Sequence, residues 1–180
     1  MKKVLMLFIA GSFCIAGTTA QTTTKTGMST TTDNDKIKDD VKFAKKAAEC
    51  GLLEVQLGKL AQTNANSQDV KMHAQHMIDD HTKLNEELKT IAQKKNIVLA
   101  TSITEKQQMK YDDMAKLKGK EFDSKFTEFM IEDHKDAIKM FKEEAKDGKD
   151  AELKAFASGK ISTLEHHLEM WEGASKVVTK

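Results

Sequence analysis

No proline interrupts the 180 residues, and from about Lys36 onward apolar residues recur at alternating spacings of three and four. Together these leave little but helix. Proline breaks helices at a cost of about 3 kcal/mol in an interior position, and the three-four spacing is the period of one helical face. Ala, Lys, Glu, Leu and Met dominate the same stretch, while aromatic and β-branched runs are sparse. The expected fold class is all-α.

Four long helices and a short one are expected. The first covers about 36–63, with Phe43, Ala47, Cys50, Leu57 and Ala61 on one stripe, and residues 64–67 turn the chain. The second, about 68–95, carries Val70, Ala74, Met77, Leu84, Leu88 and Ile91. Ser102-Ile103-Thr104-Glu105 has the form of a capping box opening a short helix to about Lys118, and Gly119 interrupts it. A third long helix, about 121–146, presents Phe122, Phe126, Phe129, Met130, Ala137 and Phe141. Gly148 stands where a C-cap glycine belongs and Asp150 where an N-cap does. The fourth long helix then buries Leu153, Phe156, Ala157, Ile161, Leu164, Leu168 and Trp171. Turns this short make antiparallel hairpins. Two hairpins joined by about 25 residues with a helix of their own suit a crossover along the bundle, as in ferritin-like four-helix bundles; an up-down-up-down bundle with a folded-back loop is the alternative.

Ahead of the helices, Lys2 and Lys3 precede an apolar run from Val4 to about Ala16 and small residues at Thr18-Thr19-Ala20. That order matches a secretory signal peptide, expected over residues 1–20 and too short in its apolar part to span a bilayer of roughly 30 Å. Cleavage would leave a periplasmic or secreted chain with no transmembrane span. Residues 21–38 read as a Thr-rich flexible linker, too poor in large apolar groups to offset its ordering entropy, and 39–178 as one bundle domain. Without Lys2 and Lys3, the 29 basic residues fall to 27 against 28 acidic ones, a net charge of −1. No arginine is present, which removes the side chain best suited to bidentate phosphate and base recognition, so nucleic acid is not an expected partner. Cys14 leaves with the signal. Cys50 then has no intramolecular disulfide partner, and a buried apolar role is the expectation.

One ionisable residue sits on the apolar stripe of each long helix: Glu54 between Cys50 and Leu57, His81 between Met77 and Leu84, His134 between Met130 and Ala137, and His167 between Leu164 and Trp171. Burying such groups unpaired costs several kcal/mol, so the four should meet one another, a water or a metal. Three imidazoles and a carboxylate suit iron, zinc or copper, and bundles build metal sites by projecting ligands from facing helices. Asp80 and Asp133, each just before a histidine, are expected as outer acceptors that fix imidazole tautomers, with solvated surface charge as their ordinary alternative. The halves echo each other weakly, which would place the four in two related pairs. Counted from the turns, however, the members of each hairpin differ in depth by roughly 6 to 8 Å, which leaves open a slab of hydrogen bonds in place of a first shell. His73 and His76 fall off the His81 stripe and are expected to face solvent. Met77, Met130, Met140 and Met170 read as core filling. No Ser/His/Asp order, nucleophile elbow, glycine-rich phosphate loop or His-Glu-x-x-His sequence is present.

Phe43-Ala-Lys-Lys-Ala-Ala, Glu54-Val-Gln-Leu-Gly-Lys-Leu-Ala61, Met77-Ile-Asp-Asp-His-Thr82, Asp133-His-Lys-Asp-Ala137 and Glu165-His-His-Leu168 together resemble the bacterial exported family called domain of unknown function 4142. The likeness covers about Asp40 to Ser175. It implies a ferritin-like helical bundle in the cell envelope and carries no activity with it. The Glu-x-x-His pairs of di-iron ferritins are absent. The expected function is therefore a metal-binding or stress-related envelope protein. The alternatives are a non-catalytic module associating peripherally with the envelope through its Lys/Glu-rich faces, or an oxidoreductase if a redox metal is bound.

Overall fold

A computed structural model describes residues 30–178, with side chains from Ile37 onward; the expected signal peptide and residues 21–29 of the expected linker lie outside them. Five helices follow in order: α1 (Thr30–Asn64), α2 (Gln68–Lys94), α3 (Glu105–Ala115), α4 (Gly119–Asp147) and α5 (Ala151–Val178). Among the described residues none forms a strand, and no helix is long and apolar enough to cross a membrane. The first helix begins at Thr30, not near Lys36, and so runs back into the stretch assigned to the linker. No glycine or proline lies between Thr30 and Cys50 to stop it.

The pairs α1–α2 and α4–α5 are the main packed units, with α2 against α5 and α1 against α4. Asp40, near the start of α1, touches the α4–α5 turn. Ala65, just past its end, bridges to Gly119 at the start of α4. The two helices are therefore antiparallel, and the connection from α2 to α4 must travel the length of the bundle. α3 lies on that path against α1 and α4, held by Gln107 Nε2, which donates to the Glu49 carbonyl at 2.9 Å.

The cap of α3 differs from the expected one. Thr104, not Ser102, is the N-cap, and the reciprocal box is completed by Gln107, whose Oε1 accepts from the Thr104 amide at 2.9 Å. One glutamine thus closes the cap and ties α3 to α1, which a Glu105 partner for Ser102 would not do. Asp150 caps α5 by accepting from the Glu152 and Leu153 amides, both at 3.0 Å. Gly148 does follow α4, but at φ −54. It is required there for closeness, since a Cβ would stand 2.6 Å from Glu144 Oε1 and 2.7 Å from the Glu144 carbonyl.

Each hairpin turn is fastened by a buried aspartate of the other hairpin. Asp40 accepts from the amides of Lys149 at 3.0 Å and Asp150 at 2.6 Å. Asp123 on α4 accepts from those of Asn66 at 3.0 Å and Ser67 at 2.9 Å. Such amides at helix starts have no intrahelical partner, and a carboxylate satisfies them. Asp123 follows Asp40 by the same interval as Phe126 follows Phe43, Lys149 follows Asn66, and Asp150 follows Ser67. The halves are thus related through Asp40-Val-Lys-Phe43 and Asp123-Ser-Lys-Phe126. In this register Glu54 matches Ala137 and His81 matches Leu164, so the four polar residues do not form the related pairs expected. Asp40→Ala should lower the unfolding free energy by about 2 kcal/mol in urea titrations, because buried amides lose a charged acceptor.

Glu144 sits beside that latch, 6% exposed, with Oε1 unpartnered. Burial, then the charges of Asp40 and Asp150, pushes its carboxyl from 4.5 up to about 7. A folded-state value above the unfolded one favours the fold while the group is protonated. That contribution is complete below about pH 4.5 and is lost as pH rises through 7. The carboxyl borders an open surface hollow, where access to solvent screens part of the effect. Glu144→Gln should therefore stabilise the protein at pH 8 by about 1–2 kcal/mol and flatten the slope between pH 5 and 8, read from urea midpoints.

The apolar core is in two pieces. One holds Phe43, Leu84, Leu88, Phe141, Leu153 and Phe156. The other holds Leu57, Met77, Phe122, Phe126, Met130 and Trp171. Phe129, Ile161 and Leu168, expected inward, are only partly buried and pack at the margins.

Candidate metal centre

Between the two apolar pieces lie Glu54 (1% exposed), His81 (3%), His134 (0%) and His167 (1%), one from each long helix. The three imidazole rings stand with centroids 5.4 to 5.7 Å apart. One nitrogen from each lies within 4.8 Å of the other two, the single such group of histidine, cysteine or acidic residues among the described residues. Glu54 is outside that trio. Its Oε2 is 2.7 Å from His81 Nδ1, off the line of a hydrogen bond, and its Oε1 is 3.7 Å from His134 Nδ1. It abuts the ring edges, not the shared centre.

The depth mismatch counted along the chain is taken up by side-chain direction. Helical Cα–Cβ bonds lean toward the N-terminus. In the antiparallel pair α1–α2, Glu54 therefore leans away from its turn and His81 leans toward it. The same holds for His134 and His167 about the turn at Gly148. Residue counting separates each pair; the opposed lean brings it back to one level.

The hydrogens of two neutral rings do not fill every contact in this layer. His134 Nδ1 is 2.9 Å from the Met130 carbonyl, His134 Nε2 is 3.4 Å from His167 Nδ1, and His167 Nε2 is 3.1 Å from Asp80 Oδ2. Both ends of this row are acceptors, so three contacts require three hydrogens. Two neutral rings supply only two. With Nδ1 of His134 donating to the carbonyl and Nε2 of His167 to the carboxylate, two lone pairs face each other across 3.4 Å, the longest of the three gaps. A third hydrogen would charge one ring, and burial opposes that: it pulls His81, His134 and His167 each from 6.5 down to about 4. At neutral pH the rings are uncharged, the state that ligates metals. His81 Nε2 likewise has no partner.

The carboxyl groups around the rings divide by burial. Asp80 is 41% exposed in its side chain and also meets Lys83 at 3.7 Å. Asp133 is carried up to about 7, by burial first and then by Glu54. It is hydrogen-bonded to Glu54, whose own carboxyl burial raises and whose neighbours His134 and Asp133 lower it. Cys50 is only partly buried, and burial, then Asp133 and Glu54, pushes its thiol up to about 12. It is an un-ionised neighbour of the layer, not a reactive thiolate.

A family model matches residues 23–173, most of the chain. The chain belongs to the family described as Domain of unknown function (DUF4142). No curated protein and no solved structure matches it. What distinguishes this DUF4142 chain chemically is therefore read from its own side chains. His76 is exposed and His73 half-buried with its ring against Trp171, neither in the trio. Met77 and Met130 are buried, while Met140 and Met170 are partly so.

Proposed function

We propose that this chain is an exported, ferritin-like four-helix bundle whose buried histidine layer binds a transition-metal ion. The observation that carries the reading is the row of contacts one hydrogen short, which a cation between His134 and His167 completes. Their 3.4 Å separation matches the edge of a tetrahedron with metal–nitrogen distances of ~2.0–2.1 Å, roughly 3.3–3.4 Å. The outer contacts support the same assignment. Nδ1–H of His134 on a carbonyl and Nε2–H of His167 on Asp80 fix both tautomers with their lone pairs inward. His81 and Glu54 supply the third imidazole and the compensating charge. Three imidazoles suit zinc, iron or copper. The crossover between the hairpins supports the ferritin-like assignment, and the order of residues 1–20 supports export to the envelope.

Protein purified without an affinity tag, reconstituted separately with zinc, iron and copper and then dialysed, should retain about one ion per chain of at least one metal by elemental analysis. Less than about 0.1 ion per chain with all three would remove the metal reading and leave a satisfied polar layer.

A further inference from the structure

A cleft of about 110 Å³ between α2 and α5 reaches the layer, its wall formed in part by Asp80, His81, Lys83, Lys160, Thr163 and His167. We infer that this cleft is the approach by which a small inorganic anion from solvent reaches a metal held by the three histidines. The inference rests on the metal reading above and adds that the centre is open, not sealed.

Three observations carry it. The cleft touches two of the three ring ligands directly, although both are almost wholly buried. Its size admits about three or four waters at roughly 30 Å³ each, which is room for a two- or three-atom anion and too little for a typical organic ligand. Two lysines and one aspartate are among its wall residues. Of these, Asp80 is engaged by His167 Nε2 and Lys83, and Lys160 pairs with Glu87.

The donor set agrees. Three imidazoles leave one position of a tetrahedral ion unfilled. Glu54 enters from α1 and lies against His81 Nδ1 and the edge of His134, outside the group formed by the three rings. A divalent ion ringed by neutral rings favours an anion there, and α2 and α5 leave it a way in.

The test uses the full mature chain loaded with cobalt(II), its stoichiometry fixed by elemental analysis before any anion is added. Titration with azide should change the visible cobalt bands saturably. Thr163→Trp, which fills the cleft, should keep the cobalt and weaken azide at least about tenfold. Lys160→Met keeps an unbranched apolar chain, removes the ammonium that stands 5.7 Å from the Phe156 ring centre, and should weaken azide about threefold. Cobalt bound at one per chain with bands indifferent to azide would overturn the open centre while leaving the metal reading intact. So would an azide response that neither variant alters. Failure to bind cobalt together with zinc, iron and copper would be seen in the stoichiometry alone, and would take both readings down together.

Discussion

His81→Ala is expected to empty the histidine layer: a protein that retains about one metal ion per chain should fall below about 0.1. Removing an outer partner of a ligand already costs 10–100-fold in affinity, roughly, and removing a ligand costs more. The effect should also appear in stability. At a free metal concentration about a hundred times the dissociation constant, binding adds about 2.7 kcal/mol to the wild type. For a chain of this size that is a rise in Tm of about 5–10 °C. The variant should show no rise, so the difference in metal-induced Tm shift measures the site even if the substitution itself alters the baseline. Equal shifts for both chains would show that the metal binds elsewhere.

The largest stability loss is expected from Phe126→Ala. Phe126 is fully buried, stacks on Phe122 at 5.1 Å and meets Trp171 edge-on at 5.3 Å. Truncating such a ring removes its transfer free energy and leaves a cavity between two rigid aromatics, about 3–5 kcal/mol in comparable cores. Against a typical total of about 5–15 kcal/mol, that is a large fraction. Urea unfolding followed by Trp171 fluorescence should show the midpoint fall with little change in slope. A loss under about 1 kcal/mol would mean that the site collapses freely, and that the piece of core around Trp171 is looser than its burial implies.

The helices were legible because burial in a bundle leaves a direct periodic imprint. Val70, Ala74, Met77, Leu84, Leu88 and Ile91 all lie in the core, as the three-four spacing requires. The inward position of Glu54, His81, His134 and His167 followed from the same imprint, since a polar residue in phase with Leu and Met has nowhere else to point. What spacing does not encode is which way a side chain leans along the axis, and so the depth estimate set the pairs too far apart. Nor does it show which edge of a ring a carboxylate meets. Glu54 read as one of four ligands, and it lies against His81 Nδ1, beside the group formed by the three rings. The cap of α3 was misplaced for a related reason: Ser102 and Thr104 both match the local pattern, and the choice between them is made by a distant contact, Gln107 on Glu49. The buried aspartates at positions 40 and 123 went unread as well. The repeated Asp-x-Lys-Phe was their signal, hidden because surface-like charge is common in such a composition.

That exchange of aspartates between the hairpins bears on how the chain folds. An isolated helical pair expressed from either half would present two bare turn amides and a stranded carboxylate, with half of every core layer open to water. Neither half is equipped to stand as an intermediate, so assembly should be a single cooperative event in which both turns close at once.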